Sequence, residues 1–257
     1  AQLLMGPRYS LLSEEYSLIK NMYINRNQVK RILIYFGGGE NKIHETIIRS
    51  IKNKKFKDII FDYVISEDSK YYKFLKEWEV KLGNLFIHNT HPSLAGLMLR
   101  ADLFLGAGGS TSWERLCLGI PSLVISVADN QLEICKNLSN KNYIKFIGKD
   151  YEIDSKIISN VLFESINNKI EINNKNDLVD GYGVKRVVNQ LLGIKFPVHL
   201  ENNNNLIDNR NDSLFKKNLK IDNNFYLEEN NIHNNGNLDK FEIKIDSFLI
   251  QNIYDNF

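Results

Sequence analysis

Asp102-Leu103-Phe104-Leu105-Gly106-Ala107-Gly108-Gly109-Ser110-Thr111-Ser112-Trp113-Glu114-Arg115-Leu116-Cys117-Leu118-Gly119-Ile120-Pro121-Ser122-Leu123-Val124-Ile125 reads as a complete strand–loop–helix–strand unit. A short apolar run at 102–105 stops at glycines and hydroxyl residues. A helical pattern covers 112–118, Gly119 and Pro121 punctuate it, and a second apolar run follows at 122–125. Two strands joined through a helix by short loops must run parallel. The same alternation extends outward in both directions. Upstream, Arg31-Ile32-Leu33-Ile34-Tyr35-Phe36 is a strand that ends at Gly37-Gly38-Gly39, with a helical pattern to about Ile51. A strand at 58–65, a helix at 69–81, a strand at 85–87 and a helix at 92–100 follow. Downstream come a helix at 130–139, a strand at 143–147 and a helix at 154–166. The expected architecture is α/β, a Rossmann-like parallel sheet with helices on both faces. Ligands of such sheets bind at the carboxyl ends of the strands. Here those ends are 36–40, 65–69, 88–92, 106–112 and 126–131.

Composition bounds the rest. The chain has 257 residues, 43% hydrophobic and 25% charged, enough for one or two domains with a real core. No apolar run approaches the ~20 residues of a membrane span, and no basic segment followed by an apolar stretch marks a signal peptide. Cys117 and Cys135 are too few for a disulfide framework and read as buried small hydrophobes. A cytoplasmic protein with no membrane partner is expected. Net charge is +2, but residues 201–257 carry 6 Lys/Arg against 10 Asp/Glu. The basic balance of the remainder suits a phosphorylated small molecule. No Lys/Arg cluster interleaved with aromatics argues for nucleic acid.

Sixteen of the 57 residues from 201 to 257 are asparagine, without an apolar period. This segment reads as a disordered tail or the start of a further domain cut short. Within it, Phe241-Glu242-Ile243-Lys244-Ile245 alternates like a strand. The chain opens on Ala1-Gln2-Leu3 rather than Met, and the expectation is a fragment.

The richest strand end is 106–115. Glycines let a backbone approach a ligand, and a helix N-terminus offers free N–H groups and a favourable dipole to a phosphate. Ser110, Thr111 and Ser112 add hydroxyl donors. Thr111 and Glu114, three apart, also fit a capping box, so Glu114 has two readings: a cap for its own helix or a ligand contact. Trp113 reads as packing. At 128–131, Asp129 is a candidate N-cap, and the amides of Asn130 and Gln131 suit sugar hydroxyl and acetamido groups. Gly37-Gly38-Gly39 is a tight turn or an anion loop, but neither G-x-G-x-x-G nor a Walker lysine is present. His88 and His91 lack further ligands at metal spacing and read as solvated loop histidines. No metal and no cofactor is expected. His44, His199 and His233 support no catalytic assignment.

The whole stretch 101–122 resembles the signature of the pseudaminic-acid pathway nucleotide-sugar hydrolases, which cleave UDP-2,4-diacetamido-2,4,6-trideoxy-β-L-altropyranose. Ala128-Asp129-Asn130-Gln131 follows at that family's spacing. Gly6-Pro7-Arg8-Tyr9-Ser10-Leu11-Leu12 resembles its interdomain segment, and Val179-Asp180-Gly181-Tyr182-Gly183-Val184-Lys185-Arg186-Val187 its closing helix. More distantly, the layout is similar to the donor-binding half of MurG-type glycosyltransferases. The resemblance implies the C-terminal, UDP-binding half of a two-domain GT-B fold. It divides the chain into an N-terminal domain end and linker at 1–28, a UDP-sugar-binding domain at 29–195 and a remainder at 196–257.

Carried over by motif position, the loop of Gly108, Gly109, Ser110, Thr111 and Ser112 would hold the diphosphate. Glu114 would receive the ribose hydroxyls, and the loop bearing His91 would pass near the uracil. Asn130, Gln131, Gly38 and Gly39 would face the sugar. The family's proposed catalytic histidine lies in the N-terminal domain, outside this chain, so the fragment alone is expected to be inactive. A monomer is the separate expectation for its oligomeric state, which the sequence does not fix. The partner implied is a UDP-sugar. The alternatives are the donor half of a GT-B glycosyltransferase and a non-catalytic UDP-sugar-binding module.

Overall fold

The computed structural model describes residues 4, 6–38, 41–168 and 178–192, together with short strands at 226–228 and 242–244. Six strands build one sheet: β1 (Arg31–Tyr35), β2 (Ile60–Val64), β3 (Leu85–His88), β4 (Leu103–Ala107), β5 (Ser122–Ser126) and β6 (Lys145–Lys149). All neighbours pair parallel in the order β3-β2-β1-β4-β5-β6. This is the doubly wound order, with its reversal between β1 and β4.

Central strands buried on both faces must be apolar throughout. Accordingly Ile32, Leu33 and Ile34 of β1, Leu103, Phe104 and Leu105 of β4, and Leu123, Val124 and Ile125 of β5 are all solvent-free. Successive side chains point to opposite faces. Ile32, Ile34, Leu103, Leu105, Leu123 and Ile125 join a core with α2 (Ile43–Ile51), α3 (Tyr72–Leu82) and α7 (Ser155–Asn167). Leu33, Phe104 and Val124 join the opposite core with α1 (Glu14–Ile19), α4 (Ala95–Arg100), α5 (Thr111–Leu118) and α6 (Leu132–Asn140). A last helix, α8 (Gly183–Leu191), is fastened to the N-terminal segment. Its Arg186 donates to the Arg8 carbonyl at 2.9 Å, and Lys185 pairs with Glu14 at 3.2 Å.

Two carboxylates tie strands together on the second face. Asp102 accepts from the backbone N–H groups of Lys30 and Arg31, both at 2.8 Å, and from Arg26 at 3.0 Å. That fixes the start of β1 beside β4. Asp62, in the middle of β2, meets Arg31 at 2.8 Å, Arg100 at 2.9 Å and His88 at 2.8 Å. Burial works to raise the Asp62 pKa, but the His88 and Arg31 hydrogen bonds and the Arg100 charge outweigh it and hold the carboxyl below its ordinary range. His88 is therefore a partner of Asp62, not the solvated loop histidine its position in the sequence suggests.

Several elements begin later than their apolar patterns do, each for a local reason. The Ile59 N–H closes a turn onto Phe56, so β2 starts at Ile60. Turns from Ser66 to Tyr72 delay α3, and the Tyr143 N–H, spent on Leu138, delays β6. Asp154 caps α7, its Oδ1 accepting from Lys156 and Ile157 at 2.9 and 2.8 Å. Residues 195–257 form a separate unit. There β7 (Tyr226–Glu228) pairs antiparallel with β8 (Glu242–Lys244), with Leu227 in register with Ile243. β8 lies inside the run that alternates at 241–245; the asparagine runs lie outside the described residues.

Candidate nucleotide crevice

At the reversal the chain leaves β1 toward α2 on one face and leaves β4 toward α5 on the other. The two loops diverge and open a crevice at the carboxyl edge of the sheet. Gly37 takes a φ of +80°, which turns the chain out of β1 at little cost for glycine. Gly38 beside it is exposed, and Gly39 lies outside the described residues.

Across the crevice, the β4 loop is a close-packed glycine turn. A Cβ on Gly106 would stand 2.1 Å from the Tyr35 carbonyl oxygen of the neighbouring strand. One on Gly108 would stand 2.1 Å from Cys135 Sγ on α6. The Ser112 N–H folds back to the Gly109 carbonyl at 3.0 Å and the Trp113 N–H to Ser110 at 3.0 Å. Among the described residues, the N–H groups of Gly109, Ser110 and Thr111 donate to no protein acceptor. Three successive amides of this kind leading into a helix are a geometry that suits an anion.

Beneath this loop lies Arg115, 1% exposed. Its guanidinium donates to the Ala107 carbonyl at 3.1 Å and to Ser112 Oγ at 2.7 Å, and lies 4.5 Å over the Phe104 ring. Burial draws its pKa down to about 10. No carboxylate among the described residues forms an ion pair with it, and its Nε has no hydrogen-bond partner. The Ser112 hydroxyl, expected to face a phosphate, is instead turned inward onto Arg115, and Ser112 is 1% exposed.

Glu114 occupies the first turn of α5. The capping box is not formed: Ser110 holds the N-cap position and makes no side-chain cap bond. The carboxyl lies toward Tyr16 of α1 and Tyr35 at the end of β1, half-buried between helices. Burial raises its pKa, only partly offset by the Tyr16 hydroxyl and the Arg115 charge. Burial and the Glu114 charge raise the Tyr16 pKa in return, and the Tyr16 hydroxyl completes no well-formed hydrogen bond.

On the β5 side, Asp129–Gln131 make one 3-10 turn ahead of α6. Ala128, not Asp129, takes the N-cap position, and Asp129 caps nothing. Gln131 folds back so that Oε1 accepts from Val127 N–H at 3.1 Å, while Nε2 lies 3.7 Å from a Cβ position on Gly109. Asn130 is exposed, as is His91 in the loop between β3 and α4. That loop is tied to the β2 rim where Asn89 Oδ1 accepts from Glu67 N–H at 3.2 Å.

Gly108, Gly109, Ser110 and Thr111 thus leave the carboxyl end of β4 with Gln131 of the β5 loop beside Gly109, Glu114 follows in the first turn of α5, and His91, Asn130 and Gly38 lie on exposed loops at other strand ends. Sequence reading missed Arg115 and Tyr16. Arg115 carries no spacing signal, since an arginine after a glutamate on a short helix reads as solvated. Tyr16 comes from the segment read as a linker. His44 is enclosed by Phe36, Tyr63 and Tyr71, its Nδ1 2.6 Å from the Tyr63 hydroxyl. Cys117 and Cys135 are buried thiols, and burial pushes Cys117 up to about 12. Among the described residues no group of three or more His, Cys, Asp or Glu side chains is placed to hold a metal ion, and no helix is long and apolar enough to cross a membrane.

A six-stranded parallel sheet of this order, with a glycine turn entering a helix beside the reversal, is a Rossmann-like α/β fold, and its fold is similar to that of domains in solved GT-B structures. Particular relatives agree in fold. The structure of MurG from Acinetobacter baumannii superposes with a TM-score of 0.50 at 14% identity, over 75% of this chain and 56% of that one. A Listeria monocytogenes structure described as a UDP-N-acetylglucosamine 2-epimerase superposes with a TM-score of 0.51 at 12% identity, over 72% and 54%. In sequence, the chain is 27% identical over 139 residues to the spore coat polysaccharide biosynthesis protein SpsG of Bacillus subtilis (strain 168), over 53% of this chain. The match takes in 41% of SpsG, so the chain spans less than half of that relative. No family model matches the chain.

Proposed function

We propose that the chain is the nucleotide-binding half of a GT-B enzyme and takes a UDP-sugar in the β1–β4 crevice. The open amides of Gly109, Ser110 and Thr111 carry this reading, because three unspent N–H groups at a helix entrance suit a diphosphate. Glu114 accepts the ribose hydroxyls, the loop of His91 borders the base, and Gly38, Asn130 and Gln131 border the sugar. Gln131 is already latched over the glycine turn.

The reaction we propose is hydrolysis. Water attacks the anomeric carbon, the carbon–oxygen bond to the diphosphate breaks, and UDP leaves. This half acts on the leaving group: fixed N–H dipoles meet the negative charge that grows on the diphosphate. The resemblance of 101–122 and 128–131 to the UDP-altrose hydrolases supports water as acceptor, and a histidine of the companion N-terminal domain would handle its proton. The likeness of fold to MurG favours a second reading, transfer of the sugar to another acceptor. A non-catalytic UDP-sugar-binding module is the third.

The test is calorimetry of the chain with UDP, then an assay of the chain joined to its N-terminal domain with the altrose sugar nucleotide in EDTA. Free sugar and UDP are expected. Turnover only when an acceptor is added selects transfer, UDP binding without turnover selects the binding module, and no UDP binding overturns the reading.

A further inference from the structure

Arg115 has two features that its helix does not require. It is a guanidinium with 1% exposure, and no carboxylate among the described residues bonds to it, although the Glu114 charge acts on it through space. A buried charge without a bonded counter-ion is costly, and a packed apolar residue in its place would avoid that cost. Structural convenience therefore does not explain it. Its two hydrogen bonds do indicate a role. One holds the Ala107 carbonyl, the last residue before the glycine turn, and the other holds Ser112, the first residue after it. The guanidinium thus clamps both ends of the segment whose Gly109, Ser110 and Thr111 N–H groups meet no protein acceptor among the described residues. Its Nε is left with no partner, and its charge is buried against the residues that flank the loop.

We propose that Arg115 is a positioning residue for a diphosphate: it fixes the span of the Gly108–Thr111 turn and adds a buried positive charge behind it, so that the site selects for negative charge on the ligand. A unit charge acting across about 10 Å in a medium of effective dielectric about 20 changes affinity roughly tenfold. Arg115 does not touch the ligand, because the turn lies between them. The effect therefore scales with ligand charge: largest for UDP, smaller for UMP and absent for uridine. This rests on the crevice being the nucleotide site, but it can fail separately, because inorganic pyrophosphate reports on the anion cradle without a base or ribose.

The experiment measures binding of UDP, UMP, uridine and pyrophosphate to the whole chain and to Arg115→Met, Arg115→Lys and Ser112→Ala. Expected are a loss of at least about tenfold for UDP and pyrophosphate in Arg115→Met, with uridine changed less than about twofold. Arg115→Lys, which keeps the charge and loses the two-pronged clamp, falls between. Ser112→Ala, which keeps the charge and the Ala107 anchor but loses one prong of the clamp, lowers the UDP-to-uridine ratio less than Arg115→Met does. Equal losses for UDP and uridine in Arg115→Met, or none for UDP, overturn the proposal. If Arg115→Met does not fold, Arg115→Lys decides by the same ratio: an unchanged UDP-to-uridine ratio with an unchanged pyrophosphate affinity overturns it. Pyrophosphate binding that depends on Arg115 without any UDP binding leaves this proposal standing and removes the UDP reading. Binding of neither removes both.

Discussion

Glu114 is held where its charged form is disfavoured, between Tyr16 and Tyr35, and that placement costs stability. A carboxyl whose folded pKa is raised binds more protons folded than unfolded. Stability therefore falls as pH rises from the ordinary glutamate value through the raised one, and the penalty is complete above it. Glu114→Gln is expected to raise the melting temperature at neutral pH by about 2 °C and to weaken UDP binding at least tenfold, as loss of a charge-assisted hydrogen bond does. Thermal melts at several pH values with parallel calorimetry check both; a variant that is less stable and binds UDP normally would restore the capping reading. Asp62 is the opposite case. Its folded pKa is lowered, so its contribution is present above the ordinary aspartate value and is lost as pH falls through the lowered one. Asp62→Asn leaves Arg31, Arg100 and His88 without their shared carboxylate, and a loss of about 3 kcal/mol is expected in urea unfolding at pH 7, shrinking in acid. In the sequence Asp62 stands only as one of two aspartates in the strand pattern 58–65, and nothing distinguishes it from the exposed Asp58. Neither the partners nor the aim of Glu114 toward Tyr16 was readable, because both depend on which helices share a face.

The β4–α5 element tests whether the glycine turn is set by packing. Gly108→Ala drives a methyl group into Cys135 Sγ, a side chain that can be cut back, whereas Gly106→Ala drives one into the Tyr35 backbone, which cannot. Each is expected to cost about 1–3 kcal/mol, the range of overpacking. Cys135→Ala should recover half or more of the Gly108→Ala loss and none of the Gly106→Ala loss in a double-mutant cycle. Simple additivity of Gly108→Ala and Cys135→Ala would show that the turn does not rest on α6. At this scale the sequence was most legible. The run 102–105, the glycines and the pattern 112–118 define one βαβ unit, and repetition of that unit defines the sheet, since buried parallel strands must be apolar and crossovers must be helical. What escaped were contacts made through particular side chains. Thr111 and Glu114 have capping-box spacing, but Ser110 takes the N-cap position. Asp129 has N-cap chemistry, but the chain enters α6 through a 3-10 turn that begins one residue after Ala128. Spacing along a chain cannot show which of two adjacent polar residues reaches the cap geometry first.

For the whole molecule, likeness of fold and possession of a site are separate claims, and one ligand separates them. If UDP binds the crevice of the folded chain and not the unfolded one, mass action stabilises the fold. At a hundredfold excess over Kd the gain is about 2.7 kcal/mol, which raises the melting temperature of a domain of this size by roughly 5–10 °C. The rise should lessen with salt, because the diphosphate contributes much of the attraction. Its location is as telling as its size. The crevice lies at the carboxyl edge of the sheet, while the Arg26–Asp102 and Asp102–Lys30 contacts lie at the opposite edge. Hydrogen exchange with UDP present should slow first at Gly109, Ser110 and Thr111, whose amides have no protein acceptor among the described residues, and at the Val127–Gln131 rim. The amides of Lys30 and Arg31, already held by Asp102, should change only through global stability. Local protection at the three open amides would join the site to the fold. Stabilisation spread evenly with no local protection there would place UDP elsewhere on the molecule, and the reading of Gly108–Thr111 as its diphosphate cradle would fall.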